Sequence, residues 1–220
     1  MNTQTLNETQ LTGMGMDEML DRIVAGTNLH TSWINTLSFL EHCGARKIHR
    51  TDFGSHLDET ILSHAAEEAR HALFYKKMVR KIDPSAPTDF DFSRMLCGYS
   101  GFRYFQSLDS GIERLVHGDP ELQGKDRSTR NLLCYLYVTT LVEERAMSVF
   151  PAYNEALIRA GLPLRLDGII REEEGHLEEM QQMLPLHDGR WIERLDGMRR
   201  FEHELFGRFA LALQRRVFRA

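Results

Sequence analysis

Residues 57–82 read LDETILSHAAEEARHALFYKKMVRKI, and the order of apolar and polar residues in this stretch decides the fold class. Leu57, Ile61, His64, Glu68, His71, Tyr75, Met78 and Ile82 recur at alternating steps of four and three. That spacing puts all eight on one face of a helix, because residues three and four apart are neighbours on a 3.6-residue turn. Glu68 stands in the middle of a stripe that otherwise faces a core. A carboxylate there costs several kcal/mol, on the order of a lost ion pair, unless it is paired or bound to a cation. Asp52 or Ser55 is the expected cap of this helix, and Pro84 and Pro87 end it.

A second stretch has the same character. Residues 172–179, EEEGHLEE, place Glu173 and His176 inside the apolar stripe Leu166, Ile169, Met180 and Met183. Glu-x-x-His is commonplace by itself in a chain with 10 histidines. In a helix, however, residues i and i+3 lie about 5–6 Å apart between Cβ atoms, so a carboxylate and an imidazole can reach one metal ion. Two further helical faces each carry one acid. Glu41 shares a face with Ile34, Leu37, Ala45 and Ile48, and Glu143 shares one with Leu132, Leu136, Thr140, Met147 and Phe150. Glu144, on the face of Leu133, Tyr137 and Leu141, is the alternative to Glu143. Glu68 is preferred over Glu67, whose side of the helix holds Ser63 and Arg70. Glu41 precedes Glu68 by 27 residues and Glu143 precedes Glu173 by 30, intervals that bring each pair level across an antiparallel hairpin.

Outward from these stretches the chain reads as all-α. Residues 1–15 are expected to form a flexible N-terminal arm, and a helix is expected from Asp17 to Arg50. A loop follows at 83–92, then one or two helical pieces over the aromatic-rich residues 93–117. A helix from Ser128 to Ala160 contains Pro151, which should kink or shorten it. Another runs from Leu166 to Leu184 and stops at Pro185. An amphipathic helix from Trp191 to Arg219 closes the chain. The expected organisation is a helical bundle over 16–185 with a C-terminal helix, within 186–220, packed on it.

Composition narrows the function classes. The 220 residues are 42% hydrophobic, enough for one sizeable core, and the net charge of −5 disfavours nucleic acid. The short basic end, Arg215, Arg216 and Arg219, reads as a helix terminus. Cys43, Cys97 and Cys134 are three, far apart and in no C-x-x-C pair, which argues against a disulfide scaffold or a thiolate metal site. No apolar signal core and no stretch of about 18 apolar residues exists, so a cytoplasmic protein without a membrane span is expected.

The order Glu41, Glu68–His71, Glu143, Glu173–His176 resembles the ferritin-like di-iron carboxylate superfamily, in its oxygenase and oxidase branch. Ribonucleotide reductase small subunits, rubrerythrins, multicomponent monooxygenases and arylamine N-oxygenases belong to that superfamily. The resemblance covers about residues 20–185 and implies a four-helix bundle with a dinuclear site. It implies Glu68 and Glu173 as bridging carboxylates, Glu41 and Glu143 as terminal ligands, and His71 and His176 as nitrogen ligands. The segment near 93–117 is then an inserted helix. His64, one turn before Glu68, is a candidate third nitrogen ligand, as in some N-oxygenating relatives, or a hydrogen-bonded core residue. Arg70, Arg145 and Arg171 are candidate partners for the carboxylates. Tyr75, Tyr104 and Tyr137 are read as core.

Oxygen-rich ligation suits two iron ions, Fe2+ or Fe3+, with manganese as the alternative. The function implied is a cytoplasmic oxidoreductase that activates dioxygen to oxidise a small organic substrate, with an external electron donor and a homodimer mate as further partners. Peroxide or iron handling of the rubrerythrin, catalase or ferritin type is the second reading. A metal-free helical interaction module is the third, and a tRNA hydroxylase, which the acidic balance disfavours, the fourth.

Overall fold

A computed structural model describes residues 14–219, so the expected flexible arm falls almost wholly outside the described residues. Among them seven α-helices run in the order α1 (Met14–Ala25), α2 (Thr27–Arg50), α3 (Glu59–Ile82), α4 (Gly98–Gly118), α5 (Arg127–Arg159), α6 (Asp167–His187) and α7 (Trp191–Val217). Short 3-10 turns at Gly54–His56, Phe92–Arg94 and Pro120–Leu122 join them, and no strand occurs among the described residues. The all-α expectation holds. None of these helices is long and apolar enough to cross a membrane.

Two antiparallel hairpins form the centre. In the first, α2 packs along α3. Ser38 donates to the Ala72 carbonyl at 2.7 Å, and Lys76 donates to Asn35 Oδ1 at 3.3 Å. The reversal uses Gly54 at φ +53°, a left-handed conformation that costs glycine little. In the second hairpin, α5 packs along α6. Its turn is fixed by Gly161 at φ +66°. The Gly161 amide donates to the Ile158 carbonyl at 3.0 Å and the Leu162 amide to the Leu157 carbonyl at 3.1 Å, the paired bonds of a glycine-terminated helix. At the far end Tyr137 donates to Asp188 at 2.5 Å.

The remaining helices close the sides. α4, the crossover between the hairpins, packs on α2, α5 and α7. α7 lies against α4 so closely that a Cβ at Gly111 would fall 2.3 Å from Phe201 Cε1. α7 also touches α5 and α1.

Several boundaries differ from the sequence reading for identifiable reasons. The helix expected from Asp17 to Arg50 is two, because Gly26 is extended at φ −104° and ψ 111°. The cap of α3 is Asp58, whose Oδ1 accepts from the Ile61 amide at 3.0 Å, rather than Asp52 or Ser55. Leu57 therefore precedes the helix and is 51% exposed instead of joining the inner stripe. The 93–117 segment is one helix, α4, after a 3-10 turn. Pro151 lies inside α5 without ending it, since buried Val149, Phe150, Tyr153 and Asn154 hold the helix across the missing N–H. Pro185 sits in the last turn of α6, which continues to His187 and closes with a bond from the Asp188 amide to the Leu184 carbonyl at 2.9 Å.

Candidate metal centre

Four helices bring seven side chains to one depth. Glu41 comes from α2, His64, Glu68 and His71 from α3, Glu143 from α5, and Glu173 and His176 from α6. They form two overlapping groups of four. In one, ligand atoms of Glu41, Glu68, His71 and Glu173 lie within 4.8 Å of one another, and in the other those of His64, Glu68, Glu143 and His176 do. Glu68 belongs to both. Glu173 turns one oxygen to each histidine, Oε1 at 3.0 Å from His71 Nδ1 and Oε2 at 2.9 Å from His176 Nδ1. All are buried except Glu41, which is half-buried.

His64 is part of the cluster. Its Nε2 lies 3.0 Å from Glu68 Oε1 and 3.6 Å from Glu143 Oε1. Its Nδ1 pairs with the Tyr135 hydroxyl at 2.8 Å, which fixes the ring and leaves Nε2 facing the acids. Glu144, the alternative to Glu143, points away and accepts from Arg199 of α7 at 2.5 and 2.9 Å. The adjacent acids therefore divide between an inner and an outer face, Glu143 inward.

An arrangement outside the sequence reading orients the imidazoles. His71 Nε2 donates to Glu172 Oε2 on α6 at 2.6 Å, and His176 Nε2 donates to Glu67 Oε2 on α3 at 2.6 Å. Each Glu-Glu-x-x-His segment thus supplies the first glutamate to the other segment's histidine. These bonds fix the protonated nitrogen and turn both Nδ1 atoms inward, as carboxylates behind metal-bound histidines do. The doubled Glu67–Glu68 and Glu172–Glu173 are the sequence signal for it. Arg70 supports Glu172 at 3.0 Å and Ser63 supports Glu67 at 3.2 Å. Arg145 does not serve the cluster; it binds Glu202 of α7 at 2.7 and 3.0 Å. Arg171 is exposed.

Without a cation the acids divide by protonation. Burial, reinforced by the charges of Glu68 and Glu173, pushes Glu41 well above the usual carboxylate range. Burial and the same two neighbours raise Glu143 likewise. Burial opposes ionisation of Glu173 too, but the hydrogen bond from His176 and the positive charge of the neighbouring His71 outweigh it and hold Glu173 at about 2. Burial would lower His176, yet Glu173 and Glu67 lift it to about 9. His71 is raised in the same way against its burial, by Glu173 and Glu172.

Four carboxylates and three imidazoles fit divalent cations with mixed oxygen and nitrogen preference, such as iron or manganese. One local detail supports that fit. His71 Nδ1 is buried and 3.0 Å from Glu173 Oε1, yet no hydrogen bond joins them and it has no other hydrogen-bond partner among the described residues. Two donors side by side, not aimed at each other, suit a shared cation.

Space beside the cluster is apolar. A cavity of about 100 Å³ touches Glu41, Glu68, Glu143 and Glu173 and is walled by residues including Leu37, Val142, Val149, Phe206 and Phe209. Gly44 contributes room: a Cβ there would lie 2.9 Å from Glu68 Oε2. Gly175 does not mediate close packing, since a Cβ there would meet nothing within 4 Å. Tyr75 and Tyr137 are fully buried, as read, and Tyr104 is buried with its hydroxyl on Glu202 at 2.7 Å. Comparison with family models, with curated proteins and with solved structures finds no match for this chain.

Proposed function

We propose that the chain is a ferritin-like four-helix bundle, α2, α3, α5 and α6, whose cluster binds two iron or manganese ions for oxidation of a small organic substrate by dioxygen. The observation that carries the reading is the sharing of Glu68 between two groups of four ligand atoms. Around it, neighbouring carboxylates burdened by mutual repulsion would be relieved together by two cations. When bound, a pair of reduced iron ions supplies the electrons that dioxygen chemistry requires.

The chain's own residues do the rest. Glu68 would contribute to both positions, and Glu173 would serve the one it shares with Glu41 and His71 while its other oxygen holds His176. Glu41 and Glu143 complete one position each and border the cavity, so the open side of the site faces apolar walls. His64, His71 and His176 give nitrogen ligands in a ratio of two to one between the positions. Glu67, Glu172 and Tyr135 hold those rings. Leu37, Val142, Phe206 and Phe209 exclude water and favour an apolar reacting group. The apolar cavity favours an organic substrate over peroxide or iron handling. Electrons would come from a separate donor.

Iron reconstitution followed by metal analysis tests the first half of the reading. About two ions per chain are expected, falling to near zero in Glu68→Ala and unchanged in Glu144→Ala. An iron content that stays negligible after reconstitution, or full retention in Glu68→Ala, overturns it. Dioxygen uptake by the reduced, iron-loaded protein tests the second half; turnover with peroxide alone would transfer it to peroxide removal.

A further inference from the structure

A surface cleft of about 600 Å³ opens between α2, α4 and the start of α5. Phe105 of α4, only 6% exposed, forms part of its floor. The same ring also lines the 100 Å³ cavity at the carboxylates and a smaller one of about 40 Å³ beside His64 and Glu143. Three spaces therefore meet at one side chain. Phenylalanine turns about only two side-chain torsions, so Phe105 is the side chain whose rotation would join cleft to cluster with the helices in place. Gly44, next to cleft-lining Cys43, lies on the inner side of this boundary.

The mouth is ringed by charged side chains, whereas the inner cavity, apart from the cluster's own carboxylates and Arg145, is walled by apolar ones. Arg46, Lys47, Arg50 and Arg127 line the cleft against Asp52, Asp109 and Glu113. Lys47 and Asp109 close on each other at 2.8 Å, tying α2 to α4 across the mouth. Among the described residues Arg46, Arg50 and Arg127 form no ion pair, and neither do Asp52 and Glu113; the cleft carries one excess positive charge. A charged head cannot follow an apolar tail past Phe105 without losing its hydration, a cost of several kcal/mol on the order expected for unpaired burial. It stays outside, where three unpaired guanidinium groups suit a carboxylate, which they bind in paired bonds.

Resting on the reading of the cluster as an oxidation site, we propose that its substrate is an amphipathic carboxylate. Its anionic head docks at Arg46, Arg50 and Arg127, its apolar tail passes Phe105, and Phe105 is the gate that sets which tails reach the ions.

Trp33 lines the inner cavity, and Trp191 is the only other tryptophan. In a Trp191→Phe background, quenching of Trp33 fluorescence by a terminally brominated decanoate reports arrival of the tail. Brominated decylamine and decanol carry the same tail with other heads. Saturable quenching is expected with the carboxylate, at least about tenfold tighter than with the amine, since each tenfold corresponds to 1.4 kcal/mol. The double change Arg46→Glu, Arg50→Glu should weaken the carboxylate about tenfold or more and leave the alcohol unchanged. Phe105→Ala, with Phe105→Leu as the milder variant, should speed the stopped-flow quenching phase without altering iron content. Absence of quenching, equal affinity for the three heads, indifference to charge reversal, or an unchanged rate in both Phe105 variants overturns the proposal. The readout needs neither metal nor turnover, so it fails or succeeds separately from the iron analysis that tests the cluster.

Discussion

Gly44→Ala should separate the stability of the helices from the affinity of the cluster, with opposite signs. Gly44 lies within α2, where glycine costs about 1 kcal/mol relative to alanine. The added Cβ would stand 2.9 Å from Glu68 Oε2 and 3.6 Å from Glu68 Cδ. Ordinary contact begins near 3.4 Å, so the carboxylate must retreat by about half an ångström. Metal–ligand distances tolerate roughly 0.2 Å, and Glu68 belongs to both ligand groups, so both positions suffer. A loss of about 10- to 100-fold in iron affinity is expected, the size seen when ligand placement is disturbed. In metal-free protein the same retreat is cheap, because the side chain is flexible and no ion holds it. Calorimetry with chelator present should therefore show Tm unchanged or higher by up to about 2–4 °C. With iron, the Tm gain on metal binding should shrink by the equivalent of about 1.4 kcal/mol for each tenfold loss of affinity. Gly175→Ala is the control: its Cβ meets nothing within 4 Å, so it should raise Tm alike and leave iron affinity alone. Iron binding by Gly44→Ala as tight as in the wild type would refute the placement of Glu68. So would a metal-free Tm that falls in step with affinity, because the effect would then be damaged packing.

Two further outcomes follow from the charges and the buried hydroxyls. His176 is raised from 6.5 to about 9, so the stability it contributes is complete below pH 6.5 and is lost as pH climbs through about 9. Glu41 and Glu143 are raised acids, favouring the folded state while protonated and opposing it once ionised, so they act in the same direction. Denaturant melts of metal-free protein should lose stability as pH rises from 6.5 to 9, and bound iron should flatten the trend; a metal-free protein that gains stability over that window would contradict the described protonation. Tyr75 is wholly buried and its hydroxyl has no hydrogen-bond partner among the described residues. Tyr75→Phe should be neutral or stabilising by up to about 2 kcal/mol in metal-free protein; a clear loss of stability would mean that the hydroxyl is satisfied after all.

The helices were legible from periodicity wherever one face is buried along its whole length. α3 and α5 are the plainest cases: the stripe from Ile61 to Met78 and the face from Leu132 to Phe150 are buried nearly throughout. Boundaries were less so, because they depend on single backbone choices with no periodic signature. Gly26 breaks a stretch whose apolar spacing continues through it. Asp58 wins the cap of α3 over Asp52, which instead accepts from the Gly54 amide at 3.2 Å within the turn. Proline is a weaker stop than expected in α6, which runs on past Pro185 to His187, and α5 keeps its expected length around Pro151.

The cluster was legible for a different reason. An acid on an apolar stripe is an anomaly that sequence displays directly, and Glu41, Glu68, Glu143 and Glu173 are four of them. The partners of the imidazoles were not, since Glu67 and Glu172 are only half-buried and look like ordinary solvated glutamates. Their role appears only across helices: Glu67 of α3 reaches His176 and Glu172 of α6 reaches His71. This exchange makes the two Glu-Glu-x-x-His segments interdependent, for the Nε2 of each histidine is held by the other helix. His64 alone departs from the twofold pattern. The residue of α6 at the same offset before its ligand pair is Ile169, an apolar side chain in the core. One position is thereby given a second imidazole where the other has none, so the two ions would differ in charge environment. Were both positions filled, the one at Glu41, Glu68, His71 and Glu173, with three carboxylates against two, would offer its ion the more anionic surroundings.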